Sequence, residues 1–118
     1  MQIAGHQLTF VDGKEFSQGG PETCSLLIDG REVTGRFDAS PLPYKTGFLL
    51  PVRQRNFFTY GYALCFIDPL SLGTKVASRF LPYMRLVSVD GEYAEVQTAT
   101  YGHERARVRI KDPGVTAR

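Results

Sequence analysis

The sequence predicts an all-β fold: a small closed or partly open β-barrel, or a compact sandwich, built from hairpins and holding at most one short helix. Three observations lead there. Short stretches rich in Val, Ile, Phe, Tyr and Thr follow one another along the 118 residues, and such residues suit a pleated, half-buried surface. Gly, Pro and Asp clusters punctuate them at roughly the spacing of short strands. No window sustains the i, i+3, i+4, i+7 apolar stripe of a helix. At this length, closing or stacking the sheet is expected because both remove exposed edges. We read one β domain over residues 1–112 and a flexible C-terminal tail over 113–118.

Taken in chain order, strands are expected over 2–11, 23–29, 31–38, 46–52, 56–67, 83–89, 92–100 and 105–111. Asp-Gly follows a β-branched residue three times, in Val-Asp-Gly-Lys at 11–14, Ile-Asp-Gly-Arg at 28–31 and Val-Asp-Gly-Glu at 89–92. Asp-Gly between apolar runs is a strong hairpin signal, because Gly accepts positive φ and Asp tolerates it. A hairpin turn is therefore expected at each. Residues 16–22 and 40–47 read as loops. Residues 68–80 hold the best candidate for a short helix or single turn, opened by Pro69 and closed by Gly73.

Composition narrows function mainly by exclusion. The 14 Lys and Arg against 12 Asp and Glu leave a net charge of +2, too near balance to announce a nucleic-acid or membrane protein. Cys24 and Cys65 lie in apolar runs and read as buried free thiols. No CxxC or His pair stands at ligand spacing, so neither a metal nor a cofactor is expected. The first residues lack the charged start and long apolar stretch of a signal peptide, and no run reaches membrane-spanning length. The expected compartment is the cytoplasm.

Arg-Ala-Arg-Val-Arg-Ile-Lys at 105–111 is the main candidate surface. In a strand, Ala106, Val108 and Ile110 face the core, while Arg105, Arg107, Arg109 and Lys111 share the outer face about 6–7 Å apart. That spacing suits successive phosphates on an extended strand. It also suits a solvated sheet face answered by the preceding strand. The register that matches both faces sets Val108 against Val96, Ile110 against Ala94 and Ala106 against Thr98 inside, with Arg109 against Glu95, Arg107 against Gln97 and Lys111 against Tyr93 outside. A slip of one residue buries Glu95. Arg85 is expected opposite Glu95 from the other side.

The stretch from Arg53 to Phe66 places Arg53 and Arg55 ahead of interleaved aromatics, the chemistry of a single-strand stacking surface. Tyr60-Gly61-Tyr62-Ala63 with Cys65-Phe66 resembles the sheet motif of RNA-recognition modules, but no cation precedes Gly61 and that fold's helices are missing. The plainer expectation is a strand buried on both faces, with Phe57, Tyr60, Tyr62, Leu64 and Phe66 in the core. Asp38-Ala39-Ser40 resembles the start of the Asp/Asn-x-Ser-x-x-Gly element of cyclic-di-GMP-binding PilZ domains, which are small β-barrels. Pro43 stands where that element has Gly, and no Arg-x-x-x-Arg precedes it. The resemblance covers three residues and implies a cyclic dinucleotide only as an alternative ligand.

No catalytic residues are expected. His6 and His103 lie far apart in sequence, the thiols sit in apolar surroundings, and Asp38 and Asp68 offer carboxylates at strand ends without supporting spacing. The reading is a binding module without catalysis: an adaptor, a toxin-neutralising immunity-type protein or an oligomer-forming subunit. Its partner is expected to be another protein or a second copy in a homodimer, and no membrane. The alternative is an anionic ligand, single-stranded nucleic acid or a nucleotide, on Arg105, Arg107 and Arg109 with help from Arg53 and Arg55.

Overall fold

In the computed structural model, which describes residues 1–15, 22–56, 59–99 and 102–111, every regular element is a β-strand. The strands are β1 (Gln2–Ile3), β2 (His6–Glu15), β3 (Glu22–Ile28), β4 (Arg31–Phe37), β5 (Leu42–Tyr44), β6 (Gly47–Asn56), β7 (Thr59–Ile67), β8 (Thr74–Val76), β9 (Arg85–Asp90), β10 (Tyr93–Gln97) and β11 (Arg105–Arg109). They form two antiparallel sheets. The larger runs β1-β2-β3-β4-β6-β7-β8, with β5 also on β6; the smaller runs β11-β10-β9. The sheets do not close into a barrel; of the expected architectures the sandwich is the one they are consistent with, and it is partly open.

The β6–β7 hairpin forms the middle of the molecule. Their register runs without interruption from Phe48 opposite Ile67 to Asn56 opposite Thr59. Alternation sends Phe48, Leu50, Cys65 and Ile67 to one face, where Leu8, Leu26, Ile28, Val33 and Phe37 of β2–β4 cover them. It sends Leu49, Tyr62 and Leu64 to the other, where Leu86, Ala94, Val96 and Val108 of the small sheet cover them. The large sheet folds back on itself at its weakest joint, the single pairing of Phe37 with Val52 between β4 and β6. A strand with both faces covered reads as a near-continuous apolar run, as Gly61–Ile67 does. Tyr60 departs from the expected core set: it lies beyond the covered part of β7 and is 53% exposed. Phe57 lies outside the described residues.

The Asp-Gly turns divide by context. At Asp29-Gly30, both residues have positive φ (52° and 83°) between the paired Ile28 and Arg31, the type I′ arrangement. At Gly91, φ is +62° at the first position of a two-residue loop between Asp90 and Tyr93. Asp12-Gly13 is not a hairpin turn. It lies inside β2, where the register with β3 shifts between Val11 and Lys14. Arg36 explains the difference: its guanidinium donates to the carbonyls of Asp12 and Thr23 and, at 3.0 Å, to Ser25 Oγ. The bulged carbonyl thus finds a donor inside the sheet, and the strand continues.

Other expectations shift for local reasons. Residues 40–47 are a tight hairpin rather than a loop: β5 pairs Leu42–Tyr44 with β6, and Pro43 sits on the edge strand where its missing N–H costs no ladder bond. The strand expected over 2–11 is broken by a turn at Ala4-Gly5, both at positive φ. Of the short helix or single turn expected within 68–80, the turn forms, over 68–73; Leu72 N donates to Asp68 O at 2.8 Å and Leu70 N to Asp68 Oδ1 at 2.9 Å, and the chain then extends as β8. Of the loop expected at 16–22, residues 16–21 lie outside the described residues and Glu22 already begins β3; the tail at 113–118 lies outside them as well.

Gly61 marks a close approach. Tyr62 and Leu81 exchange backbone hydrogen bonds at 2.8 Å each, which lays Phe80 and Leu81 directly on Gly61. A Cβ there would stand 2.4 Å from the Phe80 ring and 2.5 Å from the Leu81 carbonyl oxygen. Gly61→Ala is therefore expected to cost about 1–3 kcal/mol through overpacking. Urea titration followed by tyrosine fluorescence measures it; an unchanged midpoint would contradict the packing.

Candidate functional site

The outer face of the small sheet carries the main constellation. Leu86, Ala94, Val96, Val108 and Ile110 are buried beneath it, so alternation lifts Arg105, Arg107 and Arg109 on β11, Tyr93, Glu95 and Gln97 on β10, and Arg85, Ser88 and Asp90 on β9 to the other side. The faces are those expected for 105–111, but the register differs by two residues. Tyr93 pairs with Arg109, Ala94 with Val108, Glu95 with Arg107, Val96 with Ala106 and Gln97 with Arg105. A shift of two leaves every side chain on its own face. It arises because the ladder runs on to Thr98 N and Glu104 O, at 3.0 Å, and shortens the connecting loop. Arg85 likewise stands opposite Gln97, not Glu95, after a register shift between Glu95 and Val96.

The three arginines all lean toward the Gly91 turn. Arg105 Nη1 lies 3.2 Å from Glu95 Oε1, Arg107 stacks its guanidinium 4.0 Å from the centre of the Tyr93 ring, and Arg109 Nη2 lies 3.4 Å from Glu92 Oε1. These pairs are well exposed, so each contributes about 0.2–1 kcal/mol and exchanges readily. Between them lies an open groove of about 400 Å³, lined by Ser88, Asp90, Tyr93, Glu95, Arg105 and Arg107.

Arg53 and Arg55 are brought together on the other sheet. Arg55 is the cross-strand partner of Tyr60, and Arg53 that of Tyr62. Both guanidinium groups gather over the exposed Tyr60 ring, at 4.0 Å for Arg53 and 5.9 Å for Arg55. The five candidate cations thus form two constellations on two sheets.

A third cluster was legible only in part. Asp38 and Ser40 stand out in the sequence; Tyr62, Tyr83 and Arg85 join them only through folding. Ser40 Oγ donates to Asp38 Oδ2 at 2.6 Å and accepts from Leu86 N at 3.1 Å. Arg85 Nε lies 3.5 Å from Asp38 Oδ2. The Tyr62 and Tyr83 rings meet edge to face at 5.9 Å. This seam pins β9 to the large sheet. Burial raises the Asp38 carboxyl above its ordinary 3.8, opposed by the Ser40 hydrogen bond and by Arg85. Burial, then the Asp38 charge, likewise raises the phenols of Tyr62 and Tyr83. Asp68 is engaged elsewhere, in its own turn.

His6 Nδ1 lies 2.6 Å from Asp29 Oδ2, with its ring edge-on to Phe48. That hydrogen bond, together with the one from Gln7 N, lowers the Asp29 carboxyl. His103 is exposed. Cys24 and Cys65 are buried and not joined in a disulfide, as expected, and burial pushes the Cys65 thiol up to about 11. Among the described residues, no three His, Cys, Asp or Glu side chains converge to hold a metal ion. No protein-family model, curated protein or solved structure matches this chain.

The raised Asp38 carboxyl sets a sign. The folded state holds the proton more tightly than the unfolded chain, so the contribution is fully present below pH 3.8 and is lost as pH rises through the raised folded value. Asp38→Asn removes this titration, and its stability relative to the native chain is expected to rise across that window. Urea titrations from acid to neutral pH measure it; a constant difference would contradict the burial of the charge. A second expectation concerns Cys65: with the thiol buried and raised to about 11, iodoacetamide reaches it only when the fold opens. Labelling followed by mass spectrometry should keep pace with urea-induced unfolding; fast labelling of the folded chain would contradict it.

Proposed function

We propose that the protein is a binding module without catalysis and that another protein docks on the outer face of β9–β11. The observation that supports this is an uncovered sheet face on which Arg105, Arg107 and Arg109 meet Glu95, Tyr93 and Glu92 in exchangeable pairs beside a groove. Tyr and Arg are enriched at protein interfaces and dominate their energetics. A face of mixed sign selects partners by pairing and rejects mismatched ones. A polyanion would have to displace the carboxylates already seated beside the arginines, whereas a protein partner can supply both charges in return. Adaptor, immunity-type and oligomer-forming roles all use such a face, and nothing in this reading requires a cofactor or a membrane.

A second reading, an anionic ligand such as single-stranded nucleic acid or a nucleotide, draws on one specific feature. Arg53 and Arg55 gather over the exposed ring of Tyr60 as in a stacking surface.

The two readings separate experimentally. Partners captured from the protein's own host are identified, purified and titrated against the native chain and the variants Arg107→Glu and Glu95→Arg. Each variant is expected to weaken a docking partner by about tenfold or more while the unfolding midpoint holds. Partners bound equally by all three proteins would overturn the docking face. Oligothymidylate binding that falls steeply between about 50 and about 200 mM salt, and is lost in Arg53→Ala, would put the anionic reading in its place.

A further inference from the structure

The β11 edge has a feature that the side chains alone do not reveal. Ile110 N donates to Glu92 O at 2.7 Å, and Glu104 O accepts from Thr98 N at 3.0 Å. In an antiparallel ladder, alternate residues turn their N–H and C=O toward the same neighbour. Glu104, Ala106, Val108 and Ile110 therefore spend their backbone groups on β10. Arg105, Arg107 and Arg109 turn theirs the other way, to the side where β11 is the outermost of the described strands. Lys111 confirms the direction: its N–H points outward and bonds Ala77 O at 2.7 Å. Among the described residues, no backbone hydrogen bond is made on the open side at 105, 107 or 109. Among the described residues, the three that carry the cationic row are thus the same three whose outward ladder positions are unpaired.

We infer that β11 is an acceptor edge for one further strand, and that the strand it takes is an extended segment of a partner with acidic and apolar residues in alternation. This deepens the proposed function and rests on it. A strand added at the ladder spacing of about 4.8 Å places its residues opposite Arg105, Arg107 and Arg109 in hydrogen-bonded pairs, with side chains on the same outer face. Asp or Glu at those positions meets the arginine row, and opposite charges facing across a sheet stabilise it. The residues between them face inward beside Ala106, which is only half-buried at the rim of the core. An apolar side chain there continues the buried layer. The geometry excludes a second copy of β11 as the added strand, since arginine would then face arginine in every outer pair. The bond from Lys111 to Ala77 closes the edge beyond Arg109, so the acceptor stretch is Arg105–Arg109. Main-chain pairing of this kind gives affinity, and the alternate side chains give specificity.

The probe is the capped peptide Glu-Val-Glu-Val-Glu-Val-Glu, compared with the same peptide N-methylated at its glutamates and with oligothymidylate. Amide hydrogen exchange at Arg105, Arg107 and Arg109 is read by nuclear magnetic resonance on the full chain. The unmodified peptide is expected to slow exchange at those three amides by about tenfold or more, with little change at Ala106 and Val108. The methylated peptide, which keeps the charge but loses the donors, is expected to leave them unprotected, and Arg105→Ala with Arg107→Ala to abolish binding while the unfolding midpoint holds. Equal protection by the methylated peptide or by oligothymidylate would overturn the strand inference in favour of charge alone. So would peptide binding that leaves the three amides exchanging freely. A purified partner that discriminates Arg107→Glu and Glu95→Arg yet does not protect these amides overturns the added strand and leaves the docking face standing; loss of that discrimination removes both.

Discussion

The burial of the β6–β7 hairpin on both faces is the constraint on which the rest of the molecule depends. Its inward and outward residues are both apolar, so neither surface can be left to water, and each must be covered by a different part of the chain. β2–β4 reach one face because the large sheet bends at the single Phe37–Val52 pairing. The β9–β11 meander reaches the other and closes the second core with Leu86, Val96 and Val108. Covering two faces with two opposed arms leaves the large sheet, among the described residues, with β1 and β8 as unjoined ends, and a closed barrel does not form. The candidate face is a by-product of the same arrangement: the small sheet spends its inner side on Leu49, Tyr62 and Leu64, and its outer side is left to polar residues.

Attachment of the small sheet falls to a few directed contacts rather than to a shared ladder. Ser40 joins the Asp38 carboxylate to Leu86 N, Arg85 stands beside the same carboxylate, and Lys111 bonds Ala77. Polar contacts fix orientation where apolar burial alone would allow sliding, and a buried carboxylate holds its partners because leaving any of them unpaired is costly. The charge at the seam also reaches the two tyrosines, so the joint between the sheets is an electrostatic unit as well as a packed one.

Most strands were legible because their signal is local. Alternation in Arg-Ala-Arg-Val-Arg assigned the two faces of β11, and the cost of burying Glu95 ruled out a slip of one. It could not separate registers two residues apart, since both put the same side chains inside; only the length of the ladder at Thr98 and Glu104 decides between them. Asp29-Gly30 behaved as its dipeptide suggests, whereas Asp12-Gly13 did not, because Arg36, distant in sequence, supplies a donor to the bulged carbonyl. Local reading had no access to that contact. For the same reason it found Asp38 and Ser40 but not Tyr83 and Arg85 beside them, and it grouped Arg53 and Arg55 with a surface that lies on the other sheet. Pro43 hid β5, since proline excludes a central strand but not an edge.

The single-residue joint between β4 and β6 has a mechanical consequence. Adjacent strands in a sheet normally share several rungs, which makes bending them apart expensive; here the ladder has one registered pair, with Asp38 N bonded to Pro51 O at 3.0 Å beside it. The N-terminal arm is therefore held by apolar packing among Phe37, Phe48 and Leu26, by the covalent chain through β5 and by single hydrogen bonds such as those from Arg31 to the Pro69 and Leu70 carbonyls, not by a continuous ribbon of them. Cold, which weakens apolar association while leaving backbone bonding largely intact, should loosen this arm before it disturbs the hairpin it covers.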